Sequence, residues 1–212
     1  MSLKDNIEEF KKQFLAQVPE DIQKIMQTAT DKLKQSNLED QCCKTGGKAP
    51  DFSLPNIKGD KLTLAALLDK GPVVLSFYRG GWCPYCNLEL KALQESLPGI
   101  KASGGQLVAV SPQLPDHSLS TSEANEISFE VLSDVGNHTA REYGLVFTLK
   151  EELRPIYEKW GADIASVNGD DSFELPIPAT FVINSNGVIT YSFVDADYTN
   201  RLEPAKIIES LG

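Results

Sequence analysis

The sequence predicts an α/β fold in which helices flank a central mixed β-sheet, preceded by an N-terminal helical extension. Short apolar strands alternate with helical patterns between residues 73 and 143, as in parallel βαβ units. Residues 179–194 contain two strand patterns around Asn184-Ser185-Asn186-Gly187, the clearest antiparallel hairpin of the chain. The start of the chain carries a helical period, so we expect the extension over residues 1–45 and the main domain over residues 46–212.

The extension is predicted to be a helical hairpin packed on the main domain. Apolar Ile7, Phe10, Phe14 and Val18 recur at helical spacing, and Pro19-Glu20-Asp21 opens a second helix. A helix lying on a membrane surface would need more basic residues, so packing against the domain is the better interpretation.

The main domain begins after a glycine- and proline-rich break at residues 46–50, and its first element is a predicted hairpin turning at residues 56–60. The patterns then predict, in order, a short helix at 64–68, a buried strand at 73–78, a helix after Cys86, a strand at 106–111, a helix at 116–125, a strand within 127–132, a helix at 137–143 and a final helix ending at 211. Residues 145–175 break this alternation, and we expect them to form an insertion near the active-site end of the sheet.

Composition narrows the class of protein. The chain has 212 residues with 41% hydrophobic and 24% charged, which fits one domain with extensions. A net charge of −10 argues against a nucleic-acid partner. Since no apolar run approaches the roughly 20 residues that span a bilayer, and the start shows no apolar core of a secretory signal, we expect no membrane association and a reducing cytoplasm.

The most informative segment is the Cys-x-x-Cys pair at the end of the 73–78 strand. Cys83 and Cys86 follow a Gly-Gly break and enclose Pro84 and Tyr85. Such a pair on a strand-to-helix turn can cycle between dithiol and disulfide. Unpaired N–H groups in the first helical turn favour a thiolate, and Pro84 suits this turn because it has no N–H to leave unpaired. Trp82 is expected to shield one side of the sulfur and to offer an apolar docking surface.

Two other uses of these thiols stay open. They could be inert core cysteines, or half of a zinc site completed by Cys42 and Cys43. Adjacent cysteines chelate one ion awkwardly, so we expect a redox pair with no metal and no cofactor.

Helix phase separates the two sulfurs. Cys86 shares a face with Leu90, Leu93 and Leu97, the face expected to pack on the sheet. Cys83 precedes the first turn, so it is predicted to be the more exposed nucleophile, with Cys86 as the partly buried resolving thiol.

Ile177-Pro178-Ala179-Thr180 is the second functional signal. A proline just ahead of a strand, facing a redox turn, is a candidate cis peptide that would press on the cysteine pair and present backbone groups to a substrate. A proline at a strand edge is the alternative interpretation.

Taken together, these residues resemble the thioredoxin superfamily, and more closely the peroxiredoxin-like branch of the alkyl hydroperoxide reductase/thiol-specific antioxidant family. The resemblance covers roughly residues 46–212. It depends on three segments, Ala49-Pro50-Asp51-Phe52-Ser53-Leu54, Phe77 to Cys86, and Pro178-Ala179-Thr180-Phe181-Val182-Ile183. It implies a thioredoxin-like fold and thiol-dependent reduction of hydrogen peroxide or organic hydroperoxides.

The chain departs from the family pattern at three positions. Typical members carry Pro-x-x-x-Thr-x-x-Cys here, so Arg79 stands at the proline, Cys83 at the threonine and Cys86 at the peroxide-attacking cysteine. Where the family has an arginine before Thr180, this chain has Pro178. Arg79 is a candidate for the missing positive charge, although a surface arginine is the alternative.

The resemblance implies two reaction schemes that share one disulfide. In a peroxidase, Cys86 would form a sulfenic acid that condenses with Cys83, and a thioredoxin-like or other dithiol would reduce the pair. In a general thiol–disulfide oxidoreductase, Cys83 would attack a disulfide instead. A non-enzymatic redox-sensing or zinc-holding domain is the third interpretation, and homodimerisation is a family expectation.

The remaining candidates are predicted to be structural. Cys42 and Cys43 are interpreted as linker thiols and His117 and His138 as surface residues, while Arg141 and Arg201 are expected to be solvated or ion-paired.

Overall fold

Five strands form the central sheet in the order β5-β4-β3-β8-β9. The computed structural model describes residues 2–212, so Met1, the first residue of the predicted extension, lies outside it. In this sheet β3 (Val73–Phe77) pairs in parallel with β4 (Gln106–Ser111), and β4 pairs in parallel with β5 (Glu130–Ser133). On its other side β3 pairs antiparallel with β8 (Ala179–Ile183), which pairs antiparallel with β9 (Ile189–Val194). The predicted mixed sheet is therefore confirmed.

The other elements follow the predicted order. The helices are α1 (Leu3–Gln17), α2 (Glu20–Gln35), α3 (Leu38–Gln41), α4 (Leu64–Leu68), α5 (Pro84–Ala102), α6 (Pro115–Ala124), α7 (His138–Glu142), α8 (Arg154–Lys159), α9 (Ile164–Asn168) and α10 (Pro204–Leu211), with a short 3₁₀ turn at Glu151–Leu153. The short strands β1 (Ser53–Pro55) and β2 (Lys61–Thr63) form the predicted first hairpin, and β6 (Val146–Thr148) pairs with β7 (Glu174–Pro176).

Strand β3 separates two apolar cores because successive side chains point to opposite faces of a sheet. Leu75 and Phe77 pack into a cluster with β1, α4 and β8. Val74 and Tyr78 pack on the opposite face with α5, the helix that carries the cysteine pair. The strand is buried along its whole length, so its carboxyl end holds the following turn rigidly.

The N-terminal helices pack against the elements around the cysteine pair. Leu3 and Ile7 of α1 join the α5 core, and Phe10 lies edge-on to Tyr85 with ring centroids 5.1 Å apart. Ala29 of α2 joins a third cluster with Leu149 and Leu153. The predicted helical hairpin thus covers the end of the sheet where the functional turn lies.

Residues 145–175 also lie at this end, as predicted for the insertion. Tyr157 of α8 packs against Trp82 with ring centroids 5.4 Å apart. Within residues 2–212, no helix has both the length and the hydropathy needed to cross a bilayer.

Candidate active site

The turn between β3 and α5 requires its two glycines. Gly80 has φ +148°, and a Cβ at this position would overlap the Trp82 indole. A Cβ on Gly81 would overlap the Thr121 hydroxyl. The Gly81 amide donates to Gln113 Oε1 at 2.7 Å, and its carbonyl accepts from Asn87 Nδ2 at 2.8 Å. The chain can therefore turn tightly and deliver Cys83 to the start of α5.

Cys83 is the N-cap residue of α5, and Pro84 is the first helical residue. Cys86 lies within the first turn, on the face that carries Leu90, Leu93 and Leu97 into the α5 core. Both thiols are reduced. The predicted strand-to-helix turn and helix phase are thus confirmed.

The predicted exposure of Cys83 is wrong. The residue is only 1% exposed, and Cys86 is fully buried. Cys83 instead lines a cavity of about 460 Å³, called here the thiol cavity. Its walls are rich in aromatic residues and come from the extension, the redox turn, the insertion and the segment between β9 and α10: Phe14, Val18, Met26, Arg79, Trp82, Tyr85, Tyr157, Trp160 and Tyr198. Helix phase alone could not predict this cover, because it depends on distant segments.

A hydrogen bond from Cys86, two arginines and the start of α5 lower the pKa of the Cys83 thiol. Burial by itself raises the pKa of the Cys83 thiol. A hydrogen bond from the Cys86 thiol, the positive charges of Arg79 and Arg201 and the backbone N–H of Cys86 outweigh this effect and lower the pKa to about 6. Cys83 is therefore largely a thiolate at neutral pH.

Cys86 has the opposite chemistry although it lies one turn away. Burial, and then the hydrogen bond and negative charge of Cys83, raise the pKa of the Cys86 thiol well above its usual value. Arg201 Nη2 donates to Cys86 Sγ at 3.4 Å. Cys86 is thus a protonated thiol with a guanidinium beside it, ready to stabilise negative charge when the proton leaves.

Arg201 is anchored by a buried ion pair. Its Nε donates to Glu89 Oε2 at 2.6 Å, and both side chains are at most 3% exposed. Burial raises the pKa of Glu89 to about 7, although the charge of Arg201 opposes this shift. Of the two expectations for Arg201, solvated or ion-paired, the structure shows the ion pair, and its contact with the cysteine pair was missed. Glu89 carried a weak signal, since it lies three residues after Cys86 on the same helix, whereas Arg201 carried none.

Arg79 is buried rather than a surface arginine, because it is only 2% exposed. Its guanidinium lies 4.8 Å from the Trp82 ring centroid, 5.4 Å from that of Tyr157 and 4.5 Å from that of Tyr198. Burial has the largest effect on the pKa of Cys83 and raises it. The hydrogen bond from the Cys86 thiol lowers this pKa most, and the charge of Arg79 lowers it next. Arg79 thus sits beside the sulfur, where the sequence hypothesis needed a positive charge. Tyr157 and Tyr198 were not singled out from the sequence.

Pro178 and Thr180 lie beside the end of β3. Thr180 pairs with Ser76 across the sheet and is buried there, while Pro178 immediately precedes β8. The candidate cis bond at Pro178 is wrong, since no peptide bond in residues 2–212 is cis. A strand-edge proline, the alternative interpretation, describes its position.

Trp82 and Tyr85 line the thiol cavity together with Cys83. Tyr85 is buried between Phe10 and Tyr198, and burial raises its pKa to about 12. Trp82 packs on Arg79 and Tyr157, and its shielding of the sulfur stays a prediction.

Cys42 and Cys43 are in a different environment. Cys42 is buried at the end of α3, and its thiol donates to the Gly144 carbonyl at 3.1 Å. Cys42 belongs to the core cluster on the other face of the sheet from Cys83 and Cys86. In the described part of the chain, no three His, Cys, Asp or Glu side chains are grouped to hold a metal ion.

The β3–α5 turn with its dithiol pair, on a five-stranded sheet covered by helices, defines a thiol oxidoreductase of the thioredoxin fold. Residues 45–192 match the AhpC/TSA family, and the chain belongs to this family.

Individual relatives and solved structures agree with this membership. The chain is 26% identical over 164 residues to the chloroplastic peroxiredoxin Q of Sedum lineare, covering 77% of this chain and 73% of that protein. For the peroxiredoxin Q of Populus jackii, the match is 27% identical and spans 64% of the relative's length. The thiol-disulfide oxidoreductase ResA of Bacillus anthracis is 27% identical over 74% of each chain.

Among solved structures, peroxidoxin BcpB from Mycobacterium tuberculosis superposes with a TM-score of 0.62 at 22% identity, over 79% of this chain and 96% of that one. The reduced 2-Cys peroxiredoxin of Plasmodium vivax also gives 0.62, at 17% identity and 80% coverage of each chain. These similarities show the predicted thioredoxin fold.

Proposed function

We propose that this protein is a thiol-dependent peroxidase in which Cys83 attacks the peroxide and Cys86 closes a Cys83–Cys86 disulfide. One observation carries the proposal: a buried thiol with a pKa of about 6 lines an aromatic cavity, with a second thiol behind it. The peroxiredoxin names of several relatives support this chemistry.

The first step is attack of the Cys83 thiolate on one oxygen of the peroxide. The O–O bond breaks, the sulfur is oxidised to a sulfenic acid, and the peroxide is reduced to an alcohol or water that takes up a proton. The charges of Arg79 and Arg201 keep the attacking sulfur ionised before the reaction.

The second step uses the buried thiol. As Cys86 loses its proton, the Arg201 guanidinium at 3.4 Å stabilises the new thiolate. That thiolate attacks the Cys83 sulfur, the S–O bond breaks, and the oxygen leaves as water after protonation. An external dithiol then reduces the disulfide and returns both thiols.

The family register and the environment of the two thiols favour different attacking sulfurs. The family register predicts that Cys86 attacks, because it occupies the position of the family's peroxide-attacking cysteine. The environment favours Cys83, because this thiol has the lowered pKa and lines the cavity, whereas Cys86 is fully buried with a raised pKa. We follow the environment, since the thiolate is the nucleophile.

A general thiol–disulfide oxidoreductase is the second candidate, favoured by the similarity to ResA and by Pro178 in the position of the family's arginine. A folded protein disulfide would have to reach a sulfur that is 1% exposed. A small peroxide fits within the volume of about 460 Å³ of the thiol cavity, which Cys83 lines, so peroxidase activity is the better fit.

We further propose a division of labour along the chain. Residues 46–212 carry the chemistry, and the helices within residues 1–45 contribute Phe14 and Val18 to the cover over Cys83. A thioredoxin-like reductant needs this cover to open, whereas a small dithiol does not. A cytoplasmic location and a homodimer stay predictions of the sequence.

Single-turnover chemistry with a sulfenic-acid trap tests the proposal. The Cys86→Ser variant should still consume a stoichiometric amount of hydroperoxide and carry the trap on Cys83. The Cys83→Ser variant should consume none. A trap found on Cys86 in the Cys83→Ser variant would assign the attack to Cys86 and overturn the proposed order.

The oxidoreductase alternative has its own readout, which is reduction of insulin disulfides by the reduced protein. We expect slow insulin reduction and fast peroxide consumption. Fast insulin reduction without peroxide turnover would replace the peroxidase proposal with the alternative.

A further inference from the structure

A second cavity lies behind the thiol cavity and shares one wall with it. This rear cavity has a volume of about 430 Å³, within the range of small-molecule sites. Met26, Arg79, Tyr157 and Tyr198 line both cavities, whereas Cys83 lines only the thiol cavity. The rear cavity is therefore separate from the place where peroxide meets sulfur.

Arg79 in the shared wall has unused hydrogen-bond donors. Its Nη2 donates to the Tyr157 hydroxyl at 3.1 Å, but its Nε and Nη1 are buried and have no hydrogen-bond partner. In the described part of the chain no carboxylate oxygen lies within 4.0 Å of this guanidinium. The three aromatic rings interact with the faces of the cation, and they leave the N–H groups at its edge without acceptors. The Cys83 thiolate interacts with this cation electrostatically, but it does not occupy the Nε and Nη1 donors, which are therefore a site for a further anion.

The charges around the rear cavity also favour an anionic ligand. Although the whole protein carries a net charge of −10, the residues lining this cavity include Lys32, Arg79 and Lys150 and, among the described residues, no Asp or Glu. The two lysines are exposed, so they attract an anion to the entrance, while Arg79 alone is deep enough to hold it. A single buried guanidinium matches a monoanion.

Much of the remaining lining is apolar, although Thr30, Ser36, Gln41 and Thr148 also contribute. The apolar residues come from α2, from β6 and the segment through the 3₁₀ turn that follows it, and from the segment before β8: Leu33, Val146, Phe147, Leu149, Leu153 and Ile177. Burying a hydrocarbon chain against such a wall is favourable because it removes apolar surface from water. The lining therefore suits a ligand with an apolar chain as well as a negative group.

We propose that the rear cavity binds an amphipathic carboxylate, whose head group accepts hydrogen bonds from Arg79 and the Tyr157 hydroxyl and whose hydrocarbon chain lies against α2 and β6. The free Arg79 nitrogens are closed off by aromatic rings, so the head group reaches them when Tyr157 or Tyr198 rotates. This site is distinct from the peroxide site and does not depend on the proposed peroxidase activity.

Binding at this site has a consequence for the redox pair. The carboxylate neutralises Arg79, which is one of the charges that keep Cys83 ionised. Occupation of the rear cavity therefore lowers the thiolate fraction of Cys83 at neutral pH, without contact between ligand and sulfur. The site would act as a sensor that reduces Cys83 reactivity when amphipathic carboxylates accumulate.

The test is titration calorimetry of the reduced, full-length protein with octanoate and with octanol, supported by ligand-observed NMR. Octanoate should bind at least about tenfold more tightly than octanol, because only the carboxylate uses the Arg79 donors. The Arg79→Gln variant should lose this preference, and Arg141→Gln, a surface arginine paired with Glu174, should keep it. Octanoate should also decrease the thiolate absorbance of the Cys86→Ser protein, in which Cys83 is the thiol of the pair that remains.

Three results overturn the proposal: no octanoate binding to the wild-type protein, equal binding of octanoate and octanol, or unchanged octanoate affinity in Arg79→Gln. If Arg79→Gln does not fold, Val146→Phe decides the matter, since Val146 lines the rear cavity and not the thiol cavity. This variant, with an unchanged circular dichroism spectrum, should lose octanoate affinity, and unchanged affinity contradicts the proposal. Because no arm requires peroxide, failure here and failure of the peroxidase assignment are separate outcomes.

Discussion

The chain contains two tight cysteine pairs whose surroundings differ in nearly every respect. Cys42 and Cys83 are almost equally buried, at 3% and 1% exposure. Yet burial raises the pKa of Cys42 to about 11, whereas the pKa of Cys83 falls to about 6 despite burial. Degree of burial therefore does not decide which thiol is reactive.

The difference lies in hydrogen-bond donors and cations. The Cys42 thiol is surrounded by acceptors, and donates to the carbonyls of Leu38 and Gly144, which favours its protonated form. Cys83 receives hydrogen bonds from Cys86 at the start of a 19-residue helix and lies near two buried arginines. Reactivity in this protein is a property of the β3–α5 turn and its cations, and a pair of adjacent cysteines alone does not provide it.

Removing the sulfurs themselves should have the largest effect. We expect Cys83→Ser to reduce peroxide turnover with a dithiol regenerator by roughly a thousandfold or more, since the nucleophile is lost. The Cys42→Ser/Cys43→Ser double variant should stay within about twofold of the wild type, because thiols with raised pKa values are poor nucleophiles at neutral pH. Loss of peroxide turnover in both variants would show that Cys42 and Cys43 are also needed for the reaction, contrary to this prediction.

Breaking the ion pair behind the sulfurs should have the next largest effect. Arg201→Gln leaves Glu89 buried without its partner, and removal of one member of a buried pair costs about 3–5 kcal/mol. Arg141→Gln is the matched control, because its partner Glu174 lies at the surface, where an ion pair contributes at most about 1 kcal/mol. Urea denaturation measures both free energies of unfolding, and equal losses would mean that the buried pair is no more important than the exposed one.

Removing the charge of Arg79 should have the smallest effect of the three. Arg79→Gln takes away one of several contributions to the low pKa of Cys83, so its alkylation rate at pH 7 should fall by about twofold, the loss of thiolate that a rise of about one pKa unit from about 6 causes. Arg154→Gln is the control, since Arg154 also stacks on an aromatic ring, Phe173, at 4.1 Å, and does not lower the pKa of either cysteine of the pair. Similar alkylation rates for Arg79→Gln and the wild type would show that the other contributions keep the pKa of Cys83 low without Arg79.

Local patterns predicted the framework of this site well. The Gly-Gly break, the apolar phase of α5 and the Asn184–Gly187 hairpin each depend on residues close together in the chain, and the structure has all three. The hypothesis that Arg79 supplies a positive charge was available for the same reason, since Arg79 lies four residues before Cys83.

The incorrect or missing predictions involve distant residues. Arg201 reaches Cys86 across 115 positions of the chain, and Tyr157 reaches Arg79 across 78. Cys83 lines a cavity to which Phe14 and Trp160 contribute from the extension and the insertion, and no periodicity reveals this arrangement. The bond at Pro178 is trans, which is the preferred form of X–Pro bonds, and a proline before a strand is not enough to predict the cis form.

The central claim is that Cys83 is the ionised thiol, and the pH dependence of alkylation at each cysteine tests it most directly. Reduced protein is treated with iodoacetamide across a pH series, and mass spectrometry follows each cysteine separately. We expect modification of Cys83 to rise through a midpoint near its pKa of about 6, while Cys42 stays unmodified until strongly alkaline pH, where its pKa of about 11 is approached. Earlier modification of Cys86, or a Cys83 midpoint near the ordinary thiol value of about 8.5, would contradict the account.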